Sequence, residues 1–136
     1  MCVLMCACGS GPTTPSPGGS GRYDGQWSGT TSQGQPITFA VSSEQKVTAI
    51  TVGYRFNGCS GVNTFSNLNL DIGNPPNPTS PSLGPSFGYG SGPPDGPNYT
   101  QVLGSFTAST SATGSVIFGG YSGCANAVGS WTATKR

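Results

Sequence analysis

Histidine is absent from this 136-residue chain, and charge of either sign is scarce. Without histidine there is no Ser-His-Asp or Cys-His unit and no imidazole ligand for a transition metal. Charged residues make up 7% of the chain, against about 25% in ordinary soluble domains. The acids are Asp24, Glu44, Asp71 and Asp95; the bases are Arg22, Lys46, Arg55, Lys135 and Arg136. A net charge of +1 with no basic cluster excludes nucleic acid as a partner, because such binding needs many phosphate contacts. It equally excludes electrostatic docking on anionic lipid. No apolar run approaches the roughly 20 residues a spanning helix requires, and no stretch carries helical periodicity.

Phosphate-cradling patterns are missing as well. Gly88-Tyr89-Gly90-Ser91-Gly92 is glycine-rich, but it sits in a proline-rich stretch with no helix behind it and reads as loop. Glycoside hydrolysis needs two facing carboxylates. Glu44 and Asp95 fall in turns, so Asp24 and Asp71 are the one candidate pair, and hydrolase ranks as a distant third reading. Asp71 with Asn74, or Asp95 with Asn98, would supply too few carboxylates for an ordinary calcium site. The expectation is therefore no catalytic residue, no metal and no cofactor.

What the chain does have is glycine and proline, 23 and 12 residues. The prolines are clustered at 12–17 and 75–97, with Pro36 alone between. The intervening segments are rich in Val, Ile, Thr, Phe and Tyr, which favour strands. Alternation predicts strands over 22–31, 35–43, 47–57, 64–72, 99–109, 114–119 and 125–134. Ile37, Phe39 and Val41 share one face, as do Ile50, Val52, Tyr54 and Phe56, and as do Leu68, Leu70 and Ile72. The strand at 99–109 buries either Val102 with Phe106 or the Leu103 side. Trp27, Trp131, Phe39, Tyr54, Phe106 and Phe118 are the expected aromatic anchors. Residues 73–98 form a long Pro/Gly/Asn/Ser loop, a length that is usually functional or unstructured, and Ser86-Phe87-Gly88-Tyr89 within it is a candidate short edge strand.

The N-terminal run Leu4-Met5-Cys6-Ala7-Cys8 resembles the lipobox of bacterial lipoprotein signal peptides. The resemblance implies that residues 1–8 are the end of a signal segment with a basic stretch upstream, and that Cys8 is the lipidated residue. Residues 9–21, only Gly, Ser, Pro and Thr, then serve as a flexible tether to an all-β domain at 22–136. Cleavage before Cys8 would remove Cys2 and Cys6 and leave Cys59 and Cys124 as one disulfide in an exported domain. Closing so long a loop contributes roughly 4 kcal/mol in the chain-entropy model.

That disulfide constrains topology. In an antiparallel meander, Cys59 lies at the end of the third strand, and Cys124 must reach the same end, since bridged Cα atoms lie within about 7 Å. The 73–98 segment must then cross the molecule as a strand would. About eight antiparallel strands follow, with the first and last adjacent and Trp27 beside Trp131, closing as a small β-barrel or dividing into a β-sandwich. The loops at 32–35, 57–63, 90–99 and 120–126 gather at the disulfide end. They carry Tyr99, Tyr121, Asn57, Asn63, Asn98 and Asn126, the candidate ligand contacts for a neutral glycan or a protein partner. Ordinary turn chemistry accounts for the same residues.

The run Asp24-Gly25-Gln26-Trp27-Ser28-Gly29-Thr30-Thr31-Ser32-Gln33-Gly34, with Ile37-Thr38-Phe39-Ala40-Val41, Gly104-Ser105-Phe106, Cys124 and Trp131-Thr132-Ala133, resembles a module of uncharacterised bacterial secreted proteins and lipoproteins. The Gly25-x-Trp27 opening is also similar to the start of calycin-type barrels. Together these imply a monomeric, non-enzymatic extracytoplasmic module of the bacterial cell envelope. Its membrane contact would be through the N-terminal lipid alone, and its role structural or interactive. Carbohydrate or small-ligand binding is the alternative.

Overall fold

The computed structural model describes residues 23–73, 85–93 and 95–136. The expected signal segment, the Cys8 lipidation site and the tether lie outside the described residues, as do Arg22 and, within the proline-rich loop, residues 74–84 and 94.

Every element described is a β-strand: β1 Gly25–Thr31, β2 Pro36–Val41, β3 Lys46–Phe56, β4 Cys59–Phe65, β5 Leu70–Asp71, β6 Ser86–Gly90, β7 Tyr99–Ala108, β8 Ser111–Gly119 and β9 Ala127–Lys135. They form one nine-stranded sheet in the order β4-β3-β2-β1-β9-β8-β7-β6, with β5 pairing the start of β3. All pairings are antiparallel. The sheet curls on itself, so its inner face becomes the core. The first and last long strands are neighbours, in register from Trp27↔Lys135 to Thr31↔Trp131. β6 is the edge strand expected at Ser86–Tyr89 and supplies the crossing that the cysteine parity demands.

Alternation decides which face is inner. Ile37, Phe39 and Val41 are buried along β2, and Gly129, Trp131 and Ala133 along β9. On β7 the Val102/Phe106 side is buried and Leu103 is left outside. β3 breaks strict alternation: Val47 and Ile50 are both buried. The register explains it, because Val41 pairs with Val47 while Ala40 pairs with Ala49. Thr48 is the extra residue of a β-bulge, which flips the phase of the strand beyond it.

Two segments differ from the sequence reading. The loop expected over 57–63 is a two-residue turn: Asn57 and Gly58 have φ of 47° and 80°, the pair of positive angles a type I′ hairpin requires. Strand pairing therefore begins at once, Phe56↔Cys59. The strand expected over 64–72 is split. Ile50 pairs with Phe65 and Val47 with Leu70, so residues 66–69 loop out opposite the β3 bulge, turning at Asn67 (φ 56°). Leu68, Leu70 and Ile72 still pack on the core, which is why their spacing imitates one continuous strand.

The core is aromatic. Phe39 stacks on Trp27 at 5.4 Å and meets Trp131 edge-on at 5.7 Å. Phe106 contacts Tyr23, Trp27 and Phe87 at 4.1, 5.1 and 5.8 Å. Such pairs add about 0.5–1.5 kcal/mol each beyond their buried area. Both indole N–H groups are satisfied: Trp27 Nε1 donates to the Tyr23 carbonyl at 2.8 Å and Trp131 Nε1 to the Ser115 carbonyl at 3.2 Å. The Trp131 ring lies over Gly104 and Gly114, where a Cβ would come within 2.9 and 2.6 Å of it. Glycine is needed at both places for close approach rather than for flexibility.

Candidate functional site at the disulfide end

Among the described residues the sheet has two edge strands, β4 and β6, and they approach each other along a seam. Links that bypass a backbone ladder close this seam in sequence along its length. At the far end Gly73 and Ser86 form a lone bridge, their amide–carbonyl bonds measuring 3.0 and 2.7 Å. Next, the rings of Phe65 and Tyr89 meet at 4.7 Å. Then Asn63 on β4 reaches across to Thr100 and Tyr121. Its amide Nδ2 donates to Thr100 Oγ1 at 2.8 Å and to the Tyr121 hydroxyl, and the two hydroxyls lie 2.7 Å apart. Last, Cys59 and Cys124 are disulfide-bonded, with Cα atoms 6.3 Å apart.

The expected contact residues divide accordingly. Asn63 and Tyr121 come together in this cross-seam network. Tyr121 also packs on Tyr54, Phe56 and Phe118, at 5.0, 6.0 and 6.2 Å between centroids. Tyr99, expected on the exposed rim, is buried. Asn126 accepts the Gly120 amide through Oδ1 at 3.3 Å. Asn98 takes a positive φ of 52°, and its amide donates to the Gly120 carbonyl at 3.1 Å. Asn57 is exposed at the hairpin tip. The 32–35 turn is tied inward too: Gln33 Oε1 accepts the Arg55 amide and Ser32 Oγ the Ser130 amide, each at 3.0 Å.

Thr100 is the member that the sequence reading missed. It is fully buried, and its amide also donates to Ser91 Oγ at 2.8 Å. A signal was present: in the inward phase Thr100-Val102-Gly104-Phe106, it is the one polar side chain. A buried hydroxyl needs partners, and among the described residues no buried side-chain polar atom lacks one.

A depression of about 340 Å³ lies beside the disulfide, lined by Arg55, Phe56, Asn57, Gly58, Cys59 and Ser60. Asp71 sits at the opposite end of the barrel, ion-paired with Lys46 and largely exposed. Among the described residues, no group of three or more His, Cys, Asp or Glu side chains gathers where a metal could bind. Among these residues, too, no helix is long and apolar enough to cross a membrane. Compared with protein-family models, curated proteins and solved structures, the chain has no match.

Proposed function

We propose that this chain is a non-catalytic extracytoplasmic β-domain of a bacterial surface lipoprotein, tethered through Cys8 and serving as a structural or interaction module. One observation carries the reading. The polar side chains that gather at the disulfide end, Asn63, Thr100 and Tyr121, bond to one another and so work as a clasp. The Cys59–Cys124 disulfide supports an oxidising compartment, where such bonds persist. Intact mass of the protein extracted from membranes tests the proposal. A diacyl or triacyl addition at Cys8, with Cys59 and Cys124 oxidised, is the expected result. An unmodified Cys8 in a soluble fraction would overturn the anchoring.

The depression beside Asn57 and Cys59 favours a second reading, binding of a neutral glycan or small ligand. Titration with oligosaccharides, followed by tyrosine fluorescence, checks it. An Asn57→Ala change that leaves a measured affinity untouched would remove the depression from consideration.

A further inference from the structure

The geometry points to a redox latch. We infer that Cys59–Cys124 holds the end of the seam shut, and that reduction by a dithiol opens this end while the rest of the barrel stays paired.

The argument starts from where each sulfur is anchored. Cys59 opens the edge strand β4, whose only ladder partner among the described residues is β3. Cys124 lies in the 120–126 loop, outside any ladder, directly after the positive-φ Gly123 and four residues after the positive-φ Gly120. Neither is deeply buried, and the depression lined by Arg55 to Ser60 gives a reductant an approach to Cys59. The bond therefore joins two parts of the fold that are individually weakly held. Tyr121 shares its turn with Cys124, whose amide donates to the Tyr121 carbonyl at 3.0 Å. When Cys124 moves, Tyr121 moves with it. The network to Asn63 and Thr100 is then lost, and the ring leaves Tyr54, Phe56 and Phe118. What is uncovered is a cluster of aromatic rings on an otherwise hydroxyl-rich surface. By contrast, β1 and β9 pair from Trp27↔Lys135 to Thr31↔Trp131, and β9 pairs with β8 over its remainder, so neither strand owes its ladder to the disulfide.

The chemistry is a thiol–disulfide exchange. A thiolate of the dithiol attacks one Sγ, the Cys59–Cys124 bond breaks, and the other cysteine leaves as a thiolate that takes up a proton. The second thiol of the reductant then attacks the mixed disulfide and releases the remaining cysteine. Two electrons and two protons pass to the protein, and the reductant becomes a disulfide.

The full chain, with any free thiols first blocked by alkylation, is compared in oxidised form and after dithiothreitol in native buffer. Peptide mapping after a second alkylating reagent reads Cys59 and Cys124; hydrogen exchange reads the backbone. Both cysteines should become labelled, and exchange should rise about tenfold or more over 59–65 and 120–126 while 25–31 and 127–135 stay protected. Reoxidation should restore the starting pattern. The Cys59→Ser/Cys124→Ser variant should show the opened pattern without reductant. The inference is overturned if the cysteines resist reduction until denaturant is added, or if protection collapses throughout. It is equally overturned if the serine variant exchanges like the oxidised protein, which would leave Asn63, Thr100 and Tyr121 as the whole clasp.

Discussion

The two seams of this barrel are closed by different physics. Where the chain's first and last strands meet, β1 and β9 share a continuous backbone ladder from Trp27↔Lys135 to Thr31↔Trp131. Along the other seam a lone bridge ties Gly73 to β6, a ring pair ties β4 to β6, an amide ties β4 to hydroxyls of β7 and the 120–126 loop, and a disulfide ties β4 to that same loop. The ladder depends on main-chain geometry and tolerates most side chains that fit. The other seam depends on particular residues, and each can be removed singly. An exposed sheet edge is a template for unwanted pairing; here the edges are masked by side chains and a covalent bond instead of by further strands.

Mutations should separate the two. The largest effect should come from the core that both seams enclose. Trp131→Ala removes the ring over Gly104 and Gly114 and is expected to lower the unfolding free energy by about 3–5 kcal/mol, read from urea denaturation. Gly29→Val attacks the ladder itself. A Cβ there would meet the Thr132 carbonyl oxygen at 1.8 Å and Ala133 Cα at 2.6 Å, both backbone atoms that cannot swing away. A loss of about 3 kcal/mol or more, with amide protection lost on both strands, is the expected outcome. Unchanged stability would mean that β1 and β9 can separate freely.

The side-chain seam should give way piece by piece. Cys59→Ala with Cys124→Ala removes a cross-link over a 65-residue separation, worth roughly 4 kcal/mol in the chain-entropy model and often less when measured. Amide exchange in β4 should report it more strongly than exchange in β1. Thr100→Val keeps the shape but leaves Asn63 and Tyr121 short of a partner, at about 1–3 kcal/mol; calorimetry on this variant should show a lower Tm. Val128→Thr alters an outward-facing side chain that is 73% exposed, and a change within about 0.5 kcal/mol is expected. If Thr100→Val proved as mild as Val128→Thr, the hydroxyl–amide network would not be part of the clasp.

Much of this arrangement was legible in the chain. Alternation identifies the inner face of β2 and of β3 beyond its bulge, and the six anchor residues lie in the aromatic core. Tyr54 is the least enclosed of them, half-buried and packed on Phe56 and Phe118. Cysteine parity calls for a crossing within 73–98, which β6 supplies, and sets the first strand against the last. The turn at Asn57-Gly58 was recognisable by its dipeptide, but its length was overestimated, because nothing local says that pairing resumes at Cys59. The split between β4 and β5 is hidden because Leu68, Leu70 and Ile72 keep a strand's spacing although residues 66–69 loop out opposite a bulge in another strand. Of the disulfide-end residues, Asn63 and Tyr121 meet, whereas Tyr99 is buried and Thr100, which completes their network, carries only its inward phase as a signal.

The sequence by itself determined what each residue could do locally. Period-two patterning selects strands, scarcity of charge leaves a hydroxyl-rich exterior, the absence of histidine removes whole classes of chemistry, and two distant cysteines fix strand direction. Only the tertiary structure decided the register-dependent features: the bulge at Thr48, the glycine bed under Trp131, and the meeting of Asn63, Thr100 and Tyr121. The reason is physical. Alternation is a property of a strand alone, whereas register, close approach and cross-seam bonding are properties of pairs of strands far apart in the chain. A one-residue shift in pairing exchanges the inner and outer faces.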